Sequence, residues 1–354
     1  MKRDANLDLI RCVAVLFVLI LHFILYSGWY LTPNVDFSHW FMHLLRALFL
    51  NCVPLFLLLT GYLCCRRELS ARHYLGLVRI YVLYLFSCLA SLLVRRFALG
   101  QNLSLRAVIS GILNHRANSY SWYIAMYTGL FLLIPFLNLA WAGLKTRRKR
   151  LVLLGTMLYL TALPGLLNLR YQIYLVWWTS LYPITYYFIG AYIREYRRKL
   201  RPGPLALVLL AALAGAAAVN FFLSRPEGFV FVDGNNYEGF QAQICSVLLF
   251  LLLLNLDLSR CPKGLAAGIR WLSGLSFPVY LFSNATDLLV YSLCRKLIPR
   301  GGAWVYAYAL GALASLLLCI PLAWLAERLA HPLIKGIKKG LSLLYRRLAP
   351  KGAE

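Results

Sequence analysis

Long apolar runs alternate with short polar segments along the whole chain. A helix needs about 20 apolar residues to cross a bilayer core of roughly 30 Å, and ten runs reach or approach that length. They cover residues 7–26, 42–63, 74–94, 121–142, 151–168, 173–193, 205–224, 240–258, 272–294 and 303–326. The pattern predicts an all-α integral membrane protein built as a bundle of about ten transmembrane helices.

Composition and charge placement agree with this prediction. Hydrophobic residues make up 61% of the chain and charged residues 14%, whereas soluble domains are about a quarter charged. The net charge is +25, and if the N-terminus is cytoplasmic, 26 of the 37 Lys and Arg residues fall in inner segments. That asymmetry follows the positive-inside rule, so it predicts cytoplasmic termini rather than nucleic-acid binding. We expect a transmembrane domain over 1–334 and a basic cytoplasmic tail over 335–354 that lies on anionic membrane lipid.

Two ionisable residues lie inside the first apolar run. Arg11 and His22 are eleven residues apart, which puts them on one helix face with about 16 Å of rise between them. Asp8, one turn before Arg11, is placed to pair with it. Arg11 lies close enough to the helix start to reach the headgroups. The deeper His22 indicates either a polar cavity or a hydrogen bond to a neighbouring helix.

A second polar stripe lies in the ninth run. Ser276, Tyr280, Ser283 and Asp287 are spaced four, three and four apart, so they share one helix face. They either line a cavity or supply hydrogen bonds between helices. Glu327, at the inner end of the last run, is expected to pair with a neighbouring arginine.

Several segments resemble the membrane acyltransferase 3 family, which includes O-acetyltransferases of bacterial surface polysaccharides. The segment NLDLIRCVAVLFVLILHF (6–23) is similar to the family's opening signature, an Arg and a His separated by ten residues. Further similar segments are VPLFLLLTGYLCCRR (53–67), RHYLGLVRIYVLYL (72–85), SWYIAMYTGLFLLIPFL (121–137), YYFIGAYI (186–193) and WLSGLSFPVYLFSN (271–284). The chain departs from the pattern at Ser121 and Ser283, where many family members have histidine.

The resemblance implies a fold, a reaction and a set of site residues. A plasma-membrane enzyme would move an acyl group, acetyl being expected, from cytoplasmic acetyl-CoA or another acyl-CoA to a hydroxyl of a surface or lipid-linked glycan, without a metal. His22 would act as general base and Arg11 would hold CoA phosphate. Further cations for the CoA phosphates, or simple topology markers, are Arg66, Arg67, Arg72 and Arg79. The expected substrate contacts are Tyr280, Ser283, Asp287, Trp122 and Tyr123.

Two questions about the acceptor stay open in the sequence. The outer segment 224–239 is rich in Gly, Asn and aromatic residues, which suit a saccharide, yet it also fits a solvated loop. No soluble catalytic domain is expected after the last helix, so the membrane domain would act on the acceptor itself or pass the acyl group to a separate extracytoplasmic partner. The two missing histidines leave a competing class, a non-enzymatic exporter of a polysaccharide or lipid-linked saccharide.

Overall fold

The computed structural model describes residues 4–33, 37–168, 171–174, 176–298 and 304–348, and helices dominate this part of the chain. No β-strand occurs within those ranges; an isolated bridge joins Arg225 and Gly228. The α-helices are α1 Ala5–Ser27, α2 Phe37–Phe49, α3 Cys52–Cys64, α4 Ala71–Tyr74, α5 Gly76–Leu93, α6 Leu105–Leu113, α7 Trp122–Gly143, α8 Arg147–Thr161, α9 Leu163–Leu167, α10 Tyr182–Tyr196, α11 Pro202–Leu223, α12 Phe240–Asn255, α13 Lys263–Leu297 and α14 Trp304–Leu348.

Seven helical stretches in the described ranges are long and apolar enough to cross a membrane. Each contains most or all of one predicted run, so the all-helical membrane architecture is confirmed for these segments. The stretches are Ala5–Leu31, His39–Cys64, Ala71–Ala98, Trp122–Gly143, Pro202–Leu223, Lys263–Leu297 and Tyr308–Tyr345.

The other three predicted runs form shorter helices. The run 151–168 is divided between α8 and α9, and 173–193 becomes α-helical only at Tyr182, where α10 begins after a short 3-10 helix at Thr179–Leu181. The run 240–258 forms α12, which has 16 residues. A helix of that length measures about 24 Å, less than the hydrocarbon core of roughly 30 Å. The predicted start of 173–193 was therefore wrong, whereas 151–168 and 240–258 lie close to the short helices that form there.

The chain divides into two compact units. Unit one contains residues 1–66, 137–276 and 298–312, which include α1, α2, α3 and the helices from α8 to α12. Unit two contains residues 67–136, 277–297 and 313–354, which include α4, α5, α6 and the larger parts of α7 and α14.

In unit one, α1 has a capped start and a glycine end. The Asp4 carboxylate accepts a hydrogen bond from the Asn6 backbone N–H at 3.0 Å, one of the groups that a first helical turn leaves unpaired. Gly28 follows the last residue with a φ of 76°, a conformation that glycine adopts without a steric penalty. Between these ends the helix is unbroken over 23 residues, a length of about 35 Å.

A buried asparagine shapes the break between α2 and α3. The Asn51 side-chain amide donates to the carbonyls of Ala47 at 2.8 Å and Leu48 at 2.9 Å. Carbonyls in the last turn of a helix lack intrahelical partners, and buried polar groups need them. Pro54 follows in the first turn of α3, where its missing N–H is tolerated. The Asn51 amide thus satisfies two carbonyls at the end of α2 that the helix itself leaves unpaired.

Two glycines bring α3 and α10 into close contact within unit one. A Cβ on Gly61 would lie 2.0 Å from the carbonyl oxygen of Tyr187, and one on Gly190 would lie 2.1 Å from that of Leu58. Side chains of any size would force these backbones apart, which is why small residues mark close helix crossings in membranes. Both glycines belong to family-like motifs, so helix packing explains their presence there.

A polar core joins the helices of unit two. The Asn118 amide donates to Ser87 Oγ at 3.1 Å and to the Leu281 carbonyl at 2.8 Å, and Ser91 Oγ donates to Asn284 Oδ1 at 3.0 Å. All four polar side chains are buried. In an apolar surrounding such bonds connect helices that have little other reason to associate.

The last helix continues well beyond its predicted end. The run 303–326 and most of the predicted tail 335–354 form one helix, α14, which ends at Leu348. Two prolines, Pro321 and Pro332, lie inside it. Residues 349–354 lie outside the described ranges, so the tail prediction is assessed only up to 348.

Candidate active site

The polar pair predicted near the start of the first helix forms in unit one. Arg11 Nη1 donates to Asp8 Oδ1 at 3.1 Å, which confirms the predicted pairing. Ser273 Oγ on α13 donates to the same carboxylate oxygen at 2.7 Å. The Asp8 side chain is 4% exposed and that of Arg11 30%. Asp8 is thus a buried anchor that orients a cation which remains partly accessible to a ligand.

His22 lies on the same unbroken helix as Arg11. Because α1 has no break between Ala5 and Ser27, the two residues keep the shared face and the separation of about 16 Å that their spacing predicts. His22 is partly exposed. Chemically, this face offers a cation for an anionic group at one end and a proton acceptor toward the other. Their catalytic roles remain predictions.

The four arginines of segment 64–79 differ in exposure and in the contacts that the structure gives them. Arg66, at the edge of unit one, is exposed, and so are Arg67 and Arg72 in unit two. Arg79 donates from Nε and Nη2 to the two carboxylate oxygens of Glu327, each at 3.0 Å. This bidentate pair confirms the expected partner for Glu327. It also means that Arg79 can hold CoA phosphate only in competition with a carboxylate.

Three residues of the stripe on α13 make hydrogen bonds inside unit two, whereas Ser276 Oγ donates to the Ser273 carbonyl at 3.0 Å in unit one. Asp287 is fully buried and accepts from Tyr120 Oη at 2.6 Å and from Ser315 Oγ. Tyr280 Oη donates to the Tyr120 carbonyl, and Ser283 Oγ donates to the Tyr280 carbonyl of its own helix at 2.8 Å. These contacts correspond to the second sequence interpretation, in which the stripe connects helices.

The two aromatic candidates at the start of α7 have different surroundings. Trp122 is 41% exposed, whereas Tyr123 is buried. The Tyr123 ring packs edge-on against Tyr280, with 5.3 Å between ring centroids, and stacks on Tyr127 at 5.7 Å. Tyr123 and Tyr280 are therefore neighbours, as a shared substrate site requires, but their contact is with each other.

The segment 224–239, predicted as an outer segment, is an internally bonded loop of unit one. Asn235 is fully buried, and its side chain bonds to the Val230 carbonyl at 2.9 Å and the Val232 N–H at 3.2 Å. Burial raises the pKa of the Glu238 carboxyl at the end of the loop. Asn235 thus braces the loop, and the other groups of the segment remain the candidates for a saccharide.

Arg46, which the sequence did not single out as a site residue, attaches this loop to α2. Its guanidinium carbon lies 4.4 Å above the Phe229 ring, and Nη1 donates to the Asn235 carbonyl at 2.8 Å. Arg46 is 2% exposed, so its charge is balanced by aromatic faces and a carbonyl rather than by water. Neither Arg46 nor the Ser273 partner of Asp8 shows a local sequence signal, because both contacts join residues far apart in the chain.

Comparison with known proteins gives one family. The model of the acyltransferase domain family matches residues 4–326, which include Arg11, His22 and the whole of α13. Neither the curated proteins nor the solved structures contained a match. The family match covers most of the chain, and the described part has seven helices of membrane-spanning length. The chain is therefore a multi-pass membrane protein of the acyltransferase 3 family.

Proposed function

We propose that this acyltransferase moves an acyl group, acetyl being expected, from cytoplasmic acyl-CoA to a hydroxyl of a surface or lipid-linked glycan. The observation that carries the proposal is the polar face of α1, where the Asp8–Arg11 pair and His22 share one unbroken helix in a chain of this family. The expected location is the plasma membrane, and the membrane domain either acts on the acceptor directly or passes the group to an extracytoplasmic partner.

The proposed reaction uses the two ends of this face differently. Arg11 binds a phosphate of CoA, and extended pantetheine reaches along the roughly 16 Å toward His22. His22 takes the proton of the acceptor hydroxyl while its oxygen attacks the thioester carbonyl carbon. The ester C–O bond forms, the C–S bond breaks, and the proton passes to the departing thiolate to give free CoA. Every atom is accounted for without a metal.

The test measures acyl transfer by the purified full-length protein in proteoliposomes. Acetyl-CoA labelled in the acetyl group is supplied on one side with a glycan acceptor present or absent. We expect free thiol release and label on the acceptor in equal amounts. A protein that moves saccharide across the vesicle without consuming acetyl-CoA is an exporter, and that result would contradict the proposal.

We also propose about ten membrane crossings with both termini cytoplasmic. The seven long stretches would supply seven crossings, and the three shorter segments of unit one would supply the other three. The support is the charge asymmetry, strongest in segment 145–150. Glu227 and Lys145 are both exposed and lie on opposite sides under this proposal. In a background without native cysteine, Glu227→Cys should react with a membrane-impermeant thiol reagent in intact cells and Lys145→Cys only after lysis. The reverse pattern would overturn the orientation.

A further inference from the structure

Helix α14 is much longer than a bilayer crossing requires. Its 45 residues extend about 67 Å, roughly twice the hydrocarbon core of about 30 Å. The Arg79–Glu327 pair lies about halfway along it, with side chains 37% and 27% exposed. Partly exposed charges belong at the polar boundary of a membrane rather than in its core. The half of α14 after Glu327 is therefore at or beyond the membrane surface.

An apolar stripe in this half of α14 becomes more exposed toward the C-terminal end of the helix. Ala330 and Ile334 are 0% and 8% exposed, whereas Ile337, Leu341 and Leu344 are 37%, 43% and 52% exposed. These residues recur every three or four positions, so they form one helix face. A helix with an exposed apolar face and a charged opposite face is typical of the membrane interface, where that face contacts acyl chains.

The exposed end of this stripe lines an open groove within unit two. The groove has a volume of about 910 Å³. Leu341, Ser342 and Tyr345 form one wall, and the segment 69–75 forms the other. Most of the lining is apolar, and Arg72 is a charged residue within it. The groove therefore combines space for hydrocarbon with a cation.

The surroundings of the groove are strongly cationic. A second face of α14 carries Lys335, Lys338 and Lys339, of which the first and the last are exposed. Residues 328–348 include six Lys and Arg residues and no Asp or Glu. Each such cation near an anionic lipid surface contributes about 1 kcal/mol to binding. The charge of the groove thus complements an anionic headgroup.

We propose that this groove binds one anionic phospholipid, with an acyl chain along Leu341 and Tyr345 and the phosphate between Arg72 and the lysines of α14. CoA is another phosphate-bearing molecule, and Arg72 was among the arginines expected to hold it. Two observations favour the lipid. The lining is mostly apolar, whereas the nucleotide end of CoA is polar and multiply charged. The α14 wall also lies beyond residue 326, where the family match ends, so a donor site common to the family does not include it.

The test is native mass spectrometry of the purified full-length protein in a neutral detergent. Phosphatidylglycerol and phosphatidylcholine of identical acyl chains are titrated separately. We expect a single phosphatidylglycerol adduct with an affinity at least about tenfold higher than that of any phosphatidylcholine adduct. Equal affinity for the two lipids overturns the proposal. Displacement of phosphatidylglycerol by CoA at stoichiometric concentration also overturns it, since it assigns the groove to the donor.

Two variants test separately whether lipid binding depends on the lysine charges and on the open space of the groove. Lys335→Gln, Lys338→Gln and Lys339→Gln together should weaken phosphatidylglycerol binding by about 10- to 100-fold. Ser342→Trp keeps every charge but places a bulky ring in the groove, and it should weaken the adduct. The control removes three exposed cations elsewhere, through Lys145→Gln, Arg148→Gln and Lys149→Gln, and should leave lipid affinity unchanged. Equal loss in the control, or full binding by Ser342→Trp with an unaltered Tm, contradicts the proposal.

Discussion

The polar face of α1 in unit one and the polar stripe of α13 in unit two look alike in the sequence but differ in the structure. Both place hydrogen-bonding residues at helical spacing inside long apolar runs. On α1, Arg11 keeps 30% of its side chain exposed and His22 is partly exposed. On α13, Ser283 and Asp287 are fully buried, and their hydrogen bonds end on residues of the same unit.

This difference indicates which polar residues are available for chemistry. A buried polar group in a membrane protein needs a partner, and Asp287 has Tyr120 and Ser315. A group that keeps some exposure can exchange water for a ligand without breaking the fold. We therefore expect substitutions on α1 to change activity and substitutions on the α13 stripe to change stability.

The largest expected effect is that of His22→Ala. Loss of a general base lowers turnover by about two to four orders of magnitude. Acyl-CoA should still bind, and the Tm of the protein in detergent should change little. Turnover is measured by label transfer in proteoliposomes, and donor binding by isothermal calorimetry. Wild-type turnover by this variant would show that His22 takes no part in the reaction. The polar face of α1 would then no longer differ in function from the stripe on α13.

A smaller effect, on donor binding, is expected at Arg11. Arg11→Ala should raise the KM for acyl-CoA by about tenfold or more, because a charge-assisted contact to phosphate contributes about 1.5–3 kcal/mol. Arg11→Lys keeps the charge but not the planar fork, so its KM should lie between those of the other two proteins. Asp8→Asn keeps the arginine but removes the carboxylate that orients it, so its KM should rise less than that of Arg11→Ala. An unchanged KM together with a lowered Tm in Arg11→Ala would show that the pair acts only in folding.

The sequence predicted the long membrane helices well because their apolar runs are continuous. It failed at the start of α10. The start of the run 240–258 was predicted correctly, since α12 begins at Phe240, even though the buried Gln241 and Gln243 hydrogen-bond inside unit one. α10 begins nine residues later than predicted, and Pro183 in its first turn was the available start signal. The aromatic residues before it are apolar by composition, and Trp177 is 81% exposed.

For the candidate site, the sequence predicted contacts between residues of one helix, but it did not predict contacts between residues far apart in the chain. The Asp8–Arg11 pair follows directly from an i, i+3 relation on a helix. The partners Ser273 of Asp8 and Ser315 of Asp287 lie on other helices, and a single sequence holds no signal for such contacts. The sequence correctly placed the α13 stripe on one helix face, but only its hydrogen-bond partners in the structure show that the stripe connects helices.

Asp287→Ala tests the stability side of the comparison. It removes the acceptor of the buried Tyr120 and Ser315 hydroxyls. Ser315 keeps its hydrogen bond with Thr286 Oγ1 at 2.8 Å, whereas the unsatisfied Tyr120 hydroxyl costs about 1–3 kcal/mol. We expect the free energy of unfolding in detergent to fall by about 1–3 kcal/mol. Turnover per folded molecule should stay within a few-fold of wild type. An unchanged Tm with abolished transfer would instead make Asp287 the substrate residue that the sequence predicted.

The smallest expected effect is that of Ser283→Ala, one turn before Asp287 on the same face. The Ser283 hydroxyl donates to a carbonyl three residues earlier in its own helix, and that bond replaces no helical one. Its removal leaves no buried donor unpaired, so we expect a change of at most about 1 kcal/mol in stability and unaltered turnover.

Ser283→His introduces the residue that many family members have there. Because the position is fully buried, the ring should overpack the core and destabilise the protein by about 1–3 kcal/mol. Increased turnover in Ser283→His at an unchanged Tm would show that unit two has room for an accessory histidine, and the α13 stripe would then be part of the active site.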